Sequence, residues 1–281
     1  MIPAEFEYVV PETLDDAIGA LTEREDAKLL AGGHSLLPLM KLRLAAPATL
    51  VDLRKIPGLR GVQREDGSWR IGAMTRHADL QERTDLGLLA SATSLIADQQ
   101  VRNRGTIGGS LAHGDPASDL PTVLLTLEGT VTAIGPDGRR RQIAAAELFQ
   151  DYLTTAVAED EVLTEVHIPA LDGWGHGYEK FTRRSEDWAM VGVCALVQKA
   201  PDGSCLDVRV GLTNMGSTPV RARAVEDALR GAALDAASIE AAASHADAGT
   251  EPAADLNATS DYKRHLARVL TARALKEAAA A

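Results

Sequence analysis

The chain has 281 residues, enough for one large domain or two to three smaller ones, and a net charge of −11 that repels nucleic acid and anionic membrane. Two cysteines, Cys194 and Cys205, are too few for a disulfide framework or for a four-thiolate iron–sulfur cluster within one chain. The chain opens without a basic segment leading into an apolar core, and no apolar run approaches the roughly 18 residues of a membrane span, so a cytoplasmic protein is expected.

Thr13, with Asp16 three residues later, forms a possible capping box, and Leu14, Ala17, Ile18 and Leu21 follow at helical spacing. Lys28 to Ala31 and Thr49 to Leu53 are short apolar runs. The economical reading of 28 to 53 is strand, glycine turn, short helix and strand. Trp69 to Ala73 has strand character, and Asp85 to Ile96 has helical spacing. Thr130 to Ile134 and Arg139 to Ile143 flank Pro136-Asp137-Gly138, which predicts a hairpin. Glu161 to Ile168 reads as a strand stopping at Pro169, and the glycines and aspartates of 171 to 177 suggest a boundary. Ala189 to Lys199 and Cys205 to Leu212 predict antiparallel strands about Pro201-Asp202-Gly203. Tyr262, Leu266, Val269, Leu270 and Ala274 then fall on one face of a closing helix behind Thr259 and Ser260, with Ala278 to Ala281 expected to fray.

The informative features are two glycine-bearing bends, Ala31-Gly32-Gly33-His34-Ser35 and Thr106-Ile107-Gly108-Gly109-Ser110, each following the end of a regular element. Adjacent glycines let a backbone approach a ligand and aim its N–H groups at an anion, so amides from both bends are expected to converge on the diphosphate of a long dinucleotide. Taken alone, Gly32-Gly33 is equally ordinary turn chemistry. Neither bend fits G-x-G-x-x-G or the P-loop pattern.

His34 and His113 titrate in the useful range, but His34 is read as a phosphate donor or loop-packing residue rather than an acid–base group. The seven histidines lack a paired ligand spacing, so no metal site is expected. Arg139-Arg140-Arg141 reads as a solvated turn, Arg102-Asn103-Arg104 as an anchor for the second bend, and Trp174 and Trp188 as partly buried core.

Residues 31 to 38, Lys41-Leu42-Arg43-Leu44, the run from Arg102 through Ser110 to Pro121, Glu161-Val162-Leu163, Tyr178-Glu179-Lys180-Phe181 and Pro219-Val220-Arg221-Ala222 together resemble the FAD-binding subunit of the molybdenum hydroxylases, of the aerobic carbon monoxide dehydrogenase and xanthine dehydrogenase type. The resemblance covers essentially the whole chain in the family's order. It implies an α+β flavoprotein fold related to vanillyl-alcohol oxidase. Two N-terminal α+β FAD-binding subdomains, 1–56 and 57–173, would precede a C-terminal antiparallel sheet with helices, 174–281.

The same resemblance implies that Ala31, Gly32, Gly33, His34, Ser35 and Leu36, together with Thr106, Ile107, Gly108, Gly109 and Ser110, hold the FAD diphosphate. Asp119 would lie nearer the ribityl or adenosine part, and Leu163 and Lys180 near the isoalloxazine ring, where the Lys180 charge would favour a reduced anionic ring. The implied activity is electron transfer, from the clusters of an iron–sulfur small subunit to an external acceptor. A large subunit carrying the molybdenum cofactor would oxidise the substrate, and the assembly would be a dimer of heterotrimers without nucleic acid. The alternative is a stand-alone FAD-dependent oxidase of related fold. A third reading is a nucleotide-binding or assembly protein that has lost redox work.

Overall fold

A computed structural model describes residues 2–281. The chain opens with β1 (Glu7–Val9), α1 (Leu14–Glu23), β2 (Ala27–Leu30), α2 (Leu36–Lys41) and β3 (Thr49–Asp52). The three strands form a parallel sheet in the order β1-β3-β2, leaving β2 at an edge. Thr13 caps α1 as its spacing predicts, accepting from the Asp16 amide at 3.1 Å.

The middle of the chain comprises β4 (Val62–Glu65), β5 (Ser68–Gly72), α3 (His77–Gln81), α4 (Leu88–Ser94), α5 (Gln99–Arg102), α6 (Ile107–His113) and α7 (Asp119–Leu127). It continues with β6 (Thr130–Ile134), β7 (Arg140–Ala144), α8 (Ala145–Leu148), β8 (Phe149–Asp151), β9 (Thr154–Thr155) and β10 (Val162–Pro169). Five strands form an antiparallel sheet, β4-β5-β10-β6-β7. One face buries Ile71, Val131, Ala133 and Val166 against Leu88, Leu89, Ile107, Leu111, Leu120 and Leu124 of the helices. The other face carries charge: Glu165 pairs with Arg70 at 3.1 Å and with Arg140 at 2.5 Å.

The expected β6–β7 hairpin forms, with Asp137 as well as Gly138 in the left-handed region. Arg139 and Arg140 are exposed, as a solvated turn requires, but Arg141 is corrected: it pairs with the buried Glu161 at 2.6 Å, and this charge together with the Ala158 amide at 2.9 Å compensates the burial of that carboxylate. The helix expected over 85–96 is interrupted at Gly87, where φ is +52°, and resumes as α4.

The last part of the chain forms a four-stranded antiparallel sheet from β11 (Trp174–Phe181), β12 (Val191–Lys199), β13 (Cys205–Thr213) and β14 (Val220–Arg221), with α9 (Arg223–Leu229), α10 (Ala236–Ala243) and α11 (Ser260–Ala280). β12 is apolar and buried from Val191 to Val197 because both its faces are covered there. Val191, Val193, Ala195 and Val197 point toward the C-terminal helices, while Cys194 and Leu196 join the core of the middle region.

One expectation is refined here and one fails, for the same reason. The segment 171–177 is not all connection, since β11 begins at Trp174. Gly173, at φ +81°, is a turn glycine, but Gly175 and Gly177 mark close approach: a Cβ at either would run into the carbonyl groups of Ala278 or Ala274 on α11. The terminal alanines are accordingly helical through Ala280, with Ala278 fully buried. The packed stripe of α11 includes Lys263 rather than Tyr262, which is 43% exposed.

Candidate functional site

The first bend closes the edge strand β2. Beyond Leu30 the backbone leaves the β3 ladder, and among the described residues the amides of Ala31, Gly32, Gly33, His34, Ser35 and Leu36 donate to no acceptor in the chain. Main-chain N–H groups are obligatory donors, and such a run leading into a helix is built to meet an anion. Gly33, at φ +78°, turns the chain so that the Leu37 amide reaches the Gly33 carbonyl at 3.0 Å and α2 begins. Ser35 occupies the helix start without using its hydroxyl as a cap.

The second bend behaves differently, which corrects the expectation of converging amides from both. Ile107 donates to the Thr75 carbonyl at 3.0 Å, Gly108 to Ala73 at 2.8 Å, Gly109 to the Thr106 hydroxyl at 3.2 Å and Ser110 to the Thr106 carbonyl at 3.1 Å. These amides fasten the bend to the stretch after β5 and cap α6. What it can offer a ligand is the Thr106 amide, the Ser110 hydroxyl and a close-fitting backbone wall.

The two bends touch. A Cβ on Gly32 would overlap the Arg104 carbonyl oxygen and stand 2.8 Å from the Gly105 Cα, and a Cβ on Gly109 would lie 3.4 Å from that of Ala31. Gly105 in turn lies against the ring of His77, which is buried and whose Nδ1 has no partner; loss of hydration pushes its pKa down to about 4. His34 is exposed at the bend, and its pKa is lowered by partial burial and then by the Arg104 charge.

The two arginines here divide their work. Arg102 anchors the loop, donating to the carbonyls of Ile96 at 2.6 Å and Ala97 at 2.9 Å. Arg104 is exposed and, among the described residues, its guanidinium has no hydrogen-bond or ion-pair partner. It is the site cation that sequence reasoning absorbed into an anchor. The usable signal was position: it precedes the bend directly and has no acidic neighbour in sequence.

The remaining predicted residues lie deeper. Leu163 is 5% exposed on β10, in the same core as Ile107 and Leu111, beside a register shift between Leu163 and Glu165. Asp119 begins α7 and is 4% exposed, while Lys180 lies on β11. Sequence reasoning placed these two near different parts of a ligand, but the structure pairs them, with Lys180 Nζ 3.0 Å from Asp119 Oδ2 and 3.1 Å from the Leu95 carbonyl. The Tyr178 hydroxyl donates to Oδ1 of the same carboxylate. Burial raises the Asp119 pKa, and the Lys180 charge with the two donated hydrogen bonds works against that rise. Trp188, expected to be partly buried, is 55% exposed, and Trp174 carries the Arg209 guanidinium 4.8 Å above its ring. No helix of the described residues is long and apolar enough to cross a membrane.

A two-bend backbone cradle ahead of a sheet-and-helix C-terminal unit is the arrangement of a dinucleotide-binding flavoprotein. Residues 4–171 match the family described as the FAD binding domain in molybdopterin dehydrogenase, and residues 176–278 match the CO dehydrogenase flavoprotein C-terminal domain. The chain belongs to this family of FAD-binding subunits of molybdenum hydroxylases. FAD is its cofactor, and the chain is an oxidoreductase subunit.

The carbon monoxide dehydrogenase medium chain of Hydrogenophaga pseudoflava is 43% identical over 99% of this chain and 98% of that one. Subunit alpha of the 6-hydroxypseudooxynicotine dehydrogenase complex of Paenarthrobacter nicotinovorans is 37% identical over 99% of this chain and 96% of that one. A solved structure of the Hydrogenophaga pseudoflava enzyme superposes with a TM-score of 0.96 at 45% identity, covering 100% of this chain and 99% of that one.

Proposed function

We propose that this chain is the electron-transfer subunit of a molybdenum hydroxylase complex, taking electrons from the iron–sulfur clusters of a partner subunit and passing them to an external acceptor. The observation that carries the reading is the run of unpaired amides from Ala31 to Leu36, closed on one side by the second bend and flanked by the free Arg104. FAD supplies the redox chemistry when bound, accepting electrons and handing them on.

The amides of Ala31 to Leu36 and the Ser35 hydroxyl would bind the diphosphate. Thr106, Ile107, Gly108, Gly109 and Ser110 would form the wall that keeps water from it. Asp119 and Lys180 would orient the cofactor from the C-terminal side, and Leu163 would pack beside it. A cleft of about 470 Å³, between the 115–117 segment and the 183–190 segment that follows β11, is the route proposed for the acceptor.

The division into 1–56, 57–173 and 174–281 is proposed on the three main sheets, whose strands run from Glu7 to Asp52, Val62 to Pro169 and Trp174 to Arg221. An iron–sulfur small subunit, a large subunit with the molybdenum cofactor, and pairing of two heterotrimers are proposed from the medium-chain names of the relatives. The free thiols of Cys194 and Cys205, both buried, suit the reducing cytoplasm.

The test is the visible spectrum of the purified chain with added FAD, followed by anaerobic reduction. Flavin bands that bleach only when the reduced iron–sulfur partner is supplied support the reading. A chain that takes up no FAD, or whose flavin is bleached by an organic substrate with no partner present, refutes it.

A further inference from the structure

β11 sends alternate side chains to opposite faces. Gly175, Gly177 and Phe181 meet α11 or its core, while Tyr178 and Lys180 point toward α7. Both of these reach the Asp119 carboxylate from the same side, one to each oxygen. The tyrosine is 7% exposed. A carboxylate with one filled oxygen is free to rotate, whereas one with both oxygens bound by donors on a single strand is not. A buried tyrosine left without its acceptor would itself be costly, so the contact orients both partners.

We propose that Tyr178 is a positioning residue of the flavin site, whose hydroxyl fixes Asp119 so that its second oxygen holds the Lys180 ammonium against the Leu95 carbonyl. The proposal rests on the assignment of Asp119 and Lys180 to FAD. Tyr178 has a second effect through the same bond. Its donation favours the ionised carboxylate, which burial disfavours, so the phenol works with the Lys180 charge against the effect of burial on Asp119. The titratable groups around Asp119 are Tyr178 and Lys180 on β11 and Cys194 on β12. The Cys194 thiol is pushed far up by burial and stays neutral throughout the range tested, and α4 contributes only the Leu95 carbonyl.

The experiment measures FAD dissociation constants by flavin fluorescence between pH 5 and pH 8 for the wild-type chain, Y178F, D119N and Y178F/D119N. Removing the hydroxyl takes away one of the interactions that oppose the burial-raised pKa of Asp119, so acidification from pH 8 to pH 5 is expected to weaken FAD binding more in Y178F than in wild type, by up to about tenfold for a midpoint displaced by one pH unit. That extra loss disappears in Y178F/D119N, where nothing is left to titrate. Tyr178→Met, which also lacks the hydroxyl, is measured the same way and takes the place of Y178F should that variant fail to fold.

An affinity profile parallel to wild type at every pH, including a uniform loss, assigns Tyr178 a packing role and overturns the proposal. Persistence of the extra pH dependence in Y178F/D119N also overturns it. A wild-type chain that binds no FAD overturns the flavin reading, and this proposal with it.

Discussion

Replacing Gly32 by alanine tests the cradle at the point where the bends meet. The new methyl would overlap the Arg104 carbonyl oxygen and stand 2.8 Å from the Gly105 Cα, where ordinary contacts begin at 3.4 Å. Both obstacles are backbone, fixed from below by the His77 amide bond to the Gly105 carbonyl at 3.0 Å and by the α5 turn. The bends must therefore part by at least the difference, about 0.6 Å, and overpacking of this kind costs on the order of 1–3 kcal/mol. If that separation misplaces the donors, FAD affinity falls about fivefold to a hundredfold, at about 1.4 kcal/mol per factor of ten.

Gly33→Ala makes the comparison. Its methyl meets mainly the flexible Leu37 side chain, at 2.9 Å, and its cost lies in the left-handed backbone at φ +78°, on the order of 1–2 kcal/mol. Flavin fluorescence titration gives the dissociation constants, and urea unfolding of the FAD-free chains gives the stabilities. Wild-type affinity in Gly32→Ala would show that the contact between the bends plays no part in holding the cofactor.

Gly177→Ala places a methyl against the Ala274 carbonyl of α11 and is expected to cost about 1–3 kcal/mol in urea unfolding while leaving the cradle's FAD affinity within twofold. Unchanged stability would mean that α11 slides freely on β11. His77 titrates near 4 in the folded chain against an ordinary 6.5, so on acidification the unfolded chain takes up this proton first. Its contribution to stability is whole above about pH 6.5, declines from there to about pH 4 and is then exhausted, a loss of about 3 kcal/mol at 1.36 kcal/mol per pH unit. His77→Gln is expected to flatten the urea midpoint across that window; a slope equal to wild type would place the titrating group elsewhere.

What could be read from the sequence was local. The Thr13 cap, the 136–138 hairpin, the β12 and β13 runs and the first bend each follow from residues adjacent in the chain, where turn chemistry and apolar period act directly. What could not be read depends on what lies across a gap. A glycine needed because a helix carbonyl presses on it, as at Gly175 and Gly177, has the same letter as a glycine in a turn. The amides of the second bend look available until Ala73 and Thr75 are found beneath them. The Asp119–Lys180 pair spans 61 positions and leaves no periodic trace.

That pair also changes where the site's positive charge acts. A lone lysine near the ring would attract a reduced anionic flavin, but an ammonium 3.0 Å from a buried carboxylate presents a dipole to any third charge, and the field of a dipole falls off faster than that of a point charge. Lys180 therefore orients more than it attracts. Arg104 has no counter-ion among the described residues, and it stands beside the unpaired amides of the first bend. The uncompensated cation thus lies at the phosphate end of the proposed cofactor path. In a chain of net charge −11, such a local arrangement is what lets a dianionic diphosphate be held against the global field.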